Sequence, residues 1–228
     1  KKALKLAQEK ERIENMCVYE KEYEAFSYIC GIDEAGRGPL AGPVAAAAVI
    51  LPKGFPIAIL DDSKRMSARR REEAYCIIVE QALDWAVGWA TVEEIEKHNI
   101  LMASLRAMER AFGGLSHLPA LVVVDGLFAP SLSMNGTNIE AATMAKADGL
   151  IPAVMAASIL AKVARDRLMD CLDCIMLEYG FRKNKGYPTK AHRAAIERFG
   201  PSRFHRKGFQ LLIQSDAPLF DSLESPAE

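Results

Sequence analysis

No apolar run in this chain is long enough to cross a membrane. The longest, Val44 to Leu51, falls far short of the roughly 18 residues a spanning helix requires. Cysteine is scarce and unpatterned: five residues at irregular spacing exclude a disulfide scaffold and fit reduced thiols, so a cytoplasmic location is expected. Cys171-x-x-Cys174 lies in a helical stretch with no second pair, so it is not read as a zinc site. Internal repeats, low-complexity blocks and a signal-peptide pattern are all missing. The chain opens at Lys1 without methionine, which leaves open whether the native N-terminus is included. An excess of one charge sign is also missing, the formal net charge being −1. What is left is ordinary globular composition, half apolar and about a quarter charged, in 228 residues that hold one large domain or one domain plus an appendage.

The near-zero net charge hides an asymmetry. From Arg182 to Gly208 nine Lys or Arg stand against the single acid Glu197, with Tyr187, Phe199, Phe204 and Phe209 interleaved or adjacent. Basic stretches are often just solvated faces, but density and aromatics together point to a polyanion-binding surface. Beyond Gln214 the only charges are acidic, and residues 214–228 read as a frayed tail. At the other end, residues 1–24 mix six basic and six acidic residues without Gly or Pro, the pattern of an exposed helical extension.

Between these ends, residues 25–213 read as one layered α/β domain. Strands are expected over 25–32, 44–51, 84–90, 120–124 and 138–144, with a turn at Asn135-Gly136. Helices are expected from Ser67 to about Leu83, from the Thr91–Glu94 capping box to Phe112, from Ser158 to Tyr179, and from Pro188-Thr189 to Gly200. The short link between the first two strands makes part of the sheet antiparallel.

Four acids stand at the mouths of apolar segments: the pair Asp33-Glu34, then Asp125 before Gly126, and Asp148 before Gly149. Neighbours on a continuing strand face opposite ways, so Asp33 and Glu34 share one site only if the strand ends there; Gly36 and Gly38 supply such a break. A lone acid at a strand end is more often a turn former than a ligand. Four of them at one sheet edge would repel one another unless divalent cations neutralise them, and all-oxygen ligands select Mg²⁺ or Mn²⁺. The Gly36-Arg37-Gly38 turn beside the first pair adds a place for a phosphate to approach, and together they suggest metal-assisted attack on a phosphodiester.

The block Gly31-Ile32-Asp33-Glu34-Ala35-Gly36-Arg37-Gly38-Pro39-Leu40-Ala41-Gly42-Pro43 resembles the opening signature of ribonuclease HII. Further blocks agree in order: Asp62-Ser63-Lys64, Val124-Asp125-Gly126, Ala156 to Asp166, Lys185 to Thr189, and His205-Arg206. The likeness covers about residues 26–213, and Gly36-Arg37-Gly38 sets it apart from the Gly-Lys-Gly of the related type III enzyme. It implies an RNase H-like fold with a mixed central sheet flanked by helices, and hydrolysis of RNA in RNA–DNA hybrids and at single ribonucleotides in duplex DNA. Asp33, Glu34, Asp125 and Asp148 are then the implied carboxylates for two Mg²⁺ or Mn²⁺ ions.

By the same resemblance Gly36, Arg37 and Gly38 read the ribose 2′-hydroxyl through backbone groups, and Tyr187 stacks on the sugar after the ribonucleotide. Lys64 and Lys162 are implied phosphate contacts. Asp166 is the rival fourth ligand, read instead as a helix-face partner of Lys162. Two departures stand out: Lys146-Ala147-Asp148 replaces the family's Lys-Gly-Asp, and His205-Arg206-Lys207-Gly208-Phe209 replaces its His-Arg-x-Ser-Phe. Alanine at 147 restricts the backbone beside the fourth acid. The expected partners are RNA–DNA hybrid and ribonucleotide-containing duplex, with no membrane and a monomeric chain. Pro218-Leu219-Phe220 is a poorly spaced match to a sliding-clamp peptide. Two rival readings are a nuclease of the same fold that cuts DNA and a non-catalytic duplex-binding module.

Overall fold

The computed structural model of the chain describes residues 28–211 together with residues 11, 13 and 14. Apart from those three, the expected helical extension lies outside the described residues, as do the acidic tail and the clamp-like Pro218-Leu219-Phe220.

Three strands open the fold as an antiparallel meander: β1 (Ile29–Ala35), β2 (Val44–Ile50) and β3 (Asp84–Ala90). Strand β4 (Leu121–Asp125) then pairs with β1 in parallel. Two short strands, β5 (Leu132–Met134) and β6 (Thr137–Ile139), form a separate hairpin, and β7 (Ala141–Met144) returns to pair parallel with β4. The five-stranded sheet runs β3-β2-β1-β4-β7, a mixed order as expected. In the parallel β1–β4 ladder Ile32 faces Val124. Asp33 and Asp125 are thus the next residues on neighbouring strands, carried to the same sheet edge.

Helix α1 (Ala68–Gln81) starts at Ser67, whose hydroxyl accepts from the Arg70 amide. Helix α2 (Val92–Gly113) opens on the Thr91–Glu94 capping box. Helix α3 (Pro152–Ile175) is followed by the short α4 (Phe181–Asn184) and by α5 (Lys190–Phe199), capped by Thr189. The sheet lies between α2 on one face and α1 with α3 on the other. Strand β2 shows this directly: Ala46 and Ala48 pack in one core with Ala107 and Phe112, while Ala47 and Val49 pack in the second with Ile78 and Ile159. Both faces of its Val-Ala-Ala-Ala-Ala-Val-Ile run are buried, and the small side chains let both helical layers approach.

The approach is close at Gly31, where a Cβ would lie 2.2 Å from the Ala153 carbonyl carbon at the start of α3, and at Gly88 on β3, where it would lie 2.1 Å from the Ala107 carbonyl oxygen of α2. Backbone cannot yield as a flexible side chain does. Gly31→Ala is therefore expected to lower stability by about 3 kcal/mol, read as a reduced urea midpoint with an unchanged slope.

Three expectations need correction. The helix expected over 158–179 begins instead at Pro152, which suits a first helical turn because its missing N–H would go unused there, and it ends at Ile175 before a 3₁₀ turn, Leu177–Tyr179. The strand expected over 138–144 is split at Glu140 between the hairpin and the main sheet. The helix expected to run unbroken to Phe112 is interrupted at Asn99 (φ 68°, ψ 168°), whose side chain accepts from the Leu101 and Met102 amides and so caps a second segment.

Candidate active site

Three of the four predicted acids converge. Asp33 on β1, Asp125 at the end of β4 and Asp148 each offer a carboxylate oxygen, all within 4.8 Å of one another. Asp148 is not at a strand end, as expected, but in a 3₁₀ turn, Ala147–Gly149. The Asp148 amide donates to Asp125 Oδ1 at 3.5 Å, which ties that turn to β4. Nor does Ala147 strain the backbone. The left-handed position is Lys146 (φ 64°, ψ 29°), and the Ala147 methyl packs with Val123, Ile151 and Val154.

Glu34 is placed differently from its neighbour. Strand β1 does not end at the acid pair but pairs with β2 through Ala35, whereas its ladder with β4 stops at Ile32, one residue before Asp33. Glu34 lies outside the close set, accepts from Arg37 Nη1 at 3.2 Å, and remains within electrostatic reach of Asp125.

Burial sets the electrostatics. It pushes the Asp33 carboxyl well above its usual range, and the charges of Glu34 and Asp125 push it further, while a hydrogen bond from Ser158 opposes. Glu34 and Asp125 are also raised, chiefly by burial. Lys64 partly relieves the repulsion by donating from Nζ to Asp148 Oδ2 at 3.0 Å; that partner holds the ammonium above its ordinary value although burial pulls the other way. A close cluster of all-oxygen donors is the donor chemistry of a hard divalent cation, and the residues fit one.

The predicted substrate residues flank the acids. Gly36 (φ 101°) turns the chain out of β1, and a Cβ there would lie 2.2 Å from Arg165 Nε. Gly38 sits under Tyr187, whose Cε1 would be 3.8 Å from a Cβ at that position. Tyr187 is 40% exposed. Lys162 lies 5.6 Å from that ring's centroid and pairs with Asp166 at 2.7 Å. The helix-face pair read from the sequence is thus present.

Sequence reasoning missed several residues although their blocks were in view. Ser63 and Ser158, both buried, sit 2.9 Å apart between Lys64 and Asp33. Arg165 and Arg206 are completely buried and point their guanidinium groups at backbone carbonyls. The basic stretch 182–207 is therefore not one surface, since Arg206 belongs to the interior. The available signal was two arginines within motif blocks that also hold small or apolar residues; burial itself was not legible.

The family profile described as Ribonuclease HII matches residues 30–212. The chain is 46% identical over 206 residues to ribonuclease HII of Moorella thermoacetica, covering 90% of this chain and 98% of that one. It is 50% identical over 182 residues to ribonuclease HII of Shewanella sp. (strain ANA-3), covering 80% and 87%. The crystal structure of ribonuclease H2 from Pyrococcus horikoshii OT3 superposes with a TM-score of 0.67 at 25% identity, over 81% of this chain and 94% of that one. Agreement this extended, in sequence and in backbone, means that the chain belongs to the ribonuclease HII family of nucleases.

Proposed function

We propose that this protein is an endoribonuclease that hydrolyses the RNA strand of RNA–DNA hybrids and incises duplex DNA at single ribonucleotides. Its products would carry 3′-hydroxyl and 5′-phosphate ends, and its task would be ribonucleotide removal in DNA replication and repair, as a monomer in the cytoplasm. One observation carries the reading: the close set of Asp33, Asp125 and Asp148 opens beside a glycine turn that Tyr187 overlooks. An acid cluster alone would serve any phosphodiester, whereas its neighbours add a means of reading the sugar.

Asp33, Asp125 and Asp148, with Glu34 beside Asp125, would hold two Mg²⁺ or Mn²⁺ ions. When bound, such ions supply a hydroxide equivalent at neutral pH and stabilise charge on the departing 3′ oxygen. The chain's own residues do the rest. Lys64 relieves the anionic repulsion and lies where a phosphate would approach. The amides of Arg37 and Gly38 donate to no other backbone carbonyl among the described residues, so they suit a 2′-hydroxyl brought close by the lack of side chains. Tyr187 supplies the flat surface for the adjacent sugar, and Lys162 sits beside that ring.

A duplex carrying one ribonucleotide, incubated with Mg²⁺, Mn²⁺ or EDTA, tests this. Metal-dependent incision beside the ribonucleotide is expected, with no cutting in EDTA. Cleavage of an all-DNA duplex at a similar rate would favour a DNA nuclease instead, and binding without cleavage a non-catalytic module.

A further inference from the structure

A buried pair of histidines joins the Tyr187 carbonyl to the Ser202 amide, and its hydrogen-bond polarity is determined from both ends. The Ser202 backbone N–H donates to His205 Nδ1 at 2.9 Å, so that nitrogen carries no proton. A neutral His205 then holds its proton on Nε2, which lies 3.1 Å from His192 Nε2. At the other end His192 Nδ1 sits 2.9 Å from the Tyr187 carbonyl oxygen, which can only accept. His192 must therefore donate from Nδ1 and accept at Nε2. The two ends, argued separately, give the same direction. Burial also favours the neutral rings, lowering His192 and, with His192 adjacent, lowering His205 to about 4.

The next residue acts on the opposite wall of the same cleft. Arg206 donates to the carbonyls of Gly36 (2.6 Å), Arg37 (3.0 Å), Pro39 (2.8 Å) and Gly42 (2.7 and 2.9 Å). Arg165 takes those of Ala41 and Pro43, each at 3.0 Å. Among the described residues neither guanidinium is paired with a carboxylate; both donate to carbonyls of the turn, and Arg165 also to that of Lys185 at 3.0 Å. Backbone bonds lock the walls together: Leu40 N to Gly186 O, Gly42 N to Phe204 O, and Arg206 N to Leu40 O, each 2.8 Å.

We propose that His192, His205 and Arg206 are positioning residues: the histidine pair aims Tyr187 through its carbonyl, Arg206 holds the turn bearing Gly38, and the His205-Arg206 dipeptide thereby sets the gap that receives the sugar. The inference rests on the reading that Tyr187 and the glycine turn recognise the ribonucleotide. None of the three residues touches the acid cluster, so each acts on geometry rather than on the reacting atoms. Misplacing a bound sugar by about 1 Å is enough for roughly a hundredfold loss of rate.

Two measurements test it. Imidazole ¹⁵N spectra of the wild-type protein near neutral pH should show His205 as the Nε2–H tautomer and His192 as the Nδ1–H tautomer; an Nε2–H tautomer at His192 overturns the proposal without any variant being made. The second is a double-mutant cycle on the single-ribonucleotide duplex, using His192→Phe, Tyr187→Ala and both together. Each single change is expected to lower kcat roughly ten- to hundredfold with Mg²⁺ affinity unchanged, and the double variant to be no slower than Tyr187→Ala. Arg206→Lys, which keeps charge but not the forked geometry, should lower kcat similarly. Losses at 192 and 187 that multiply would mean His192 acts only on general stability and would overturn the proposal. A wild-type enzyme that ignores the ribonucleotide, or a Tyr187→Ala variant at full rate, would instead overturn the functional reading beneath it.

Discussion

Asp33→Asn is expected to abolish turnover, with kcat falling about a thousandfold or more, equivalent to about 4 kcal/mol of barrier, while duplex affinity changes little. Asp33 is the most buried of the three clustered acids, and the other two gather around it. Its replacement keeps shape and hydrogen bonding but removes the charge a divalent cation needs. The same variant should behave oppositely in stability. A carboxyl raised in the folded state binds its proton more tightly there than in the unfolded chain. Its contribution is full below the unfolded pKa, about 3.9, and is lost as pH rises through the folded value. In EDTA the wild type should therefore lose melting temperature relative to Asp33→Asn as pH climbs above about 4. Comparing the two proteins cancels the buried histidines, whose lowered values act in the opposite direction. Mg²⁺ should restore the wild type and not the variant. Near-normal turnover would remove Asp33 from the ligand set, and equal pH slopes in EDTA would remove the electrostatic account.

The second large effect separates two candidates for the fourth acid. Asp148→Asn is expected to lower kcat about a hundredfold or more, about 3 kcal/mol, and to weaken Mn²⁺ binding in calorimetric titration. Asp166→Asn should leave kcat within about threefold, under 1 kcal/mol. The difference follows from what each carboxylate faces. Asp148 shares the acid cluster and draws Lys64 toward it, whereas Asp166 is occupied by Lys162 one helical turn away. Equal losses from both variants would return Asp166 to the ligand set.

Much of this site was legible because its chemistry is written in residue types at fixed offsets. An acid after an apolar strand and before glycine marks a sheet edge, and the glycine turn after Asp33 marks a place where backbone can be approached. The partition of the first pair was not legible. Whether Glu34 joins Asp33 depends on where β1 stops pairing, and that is decided by β2, which holds the ladder as far as Ala35. Nor does the sequence show that Asp148 sits in a 3₁₀ turn, because a left-handed lysine has no distinctive sequence mark.

Arg165, Arg206 and the two histidines show the same limit more strongly. In a stretch with nine basic residues, nothing local separates the one that is buried from those on the surface.

By itself the sequence determined the layered α/β class, the candidate acids and the glycine turn, because periodicity and backbone permissiveness are local properties. Only the tertiary structure decided which acids meet, which basic groups turn inward, and which way the histidine pair donates. Those outcomes depend on burial and on which groups the fold brings together, in the case of Arg206 and Gly36 across 170 positions of chain. Hydrogen-bond polarity and desolvation exist only once such groups are brought together.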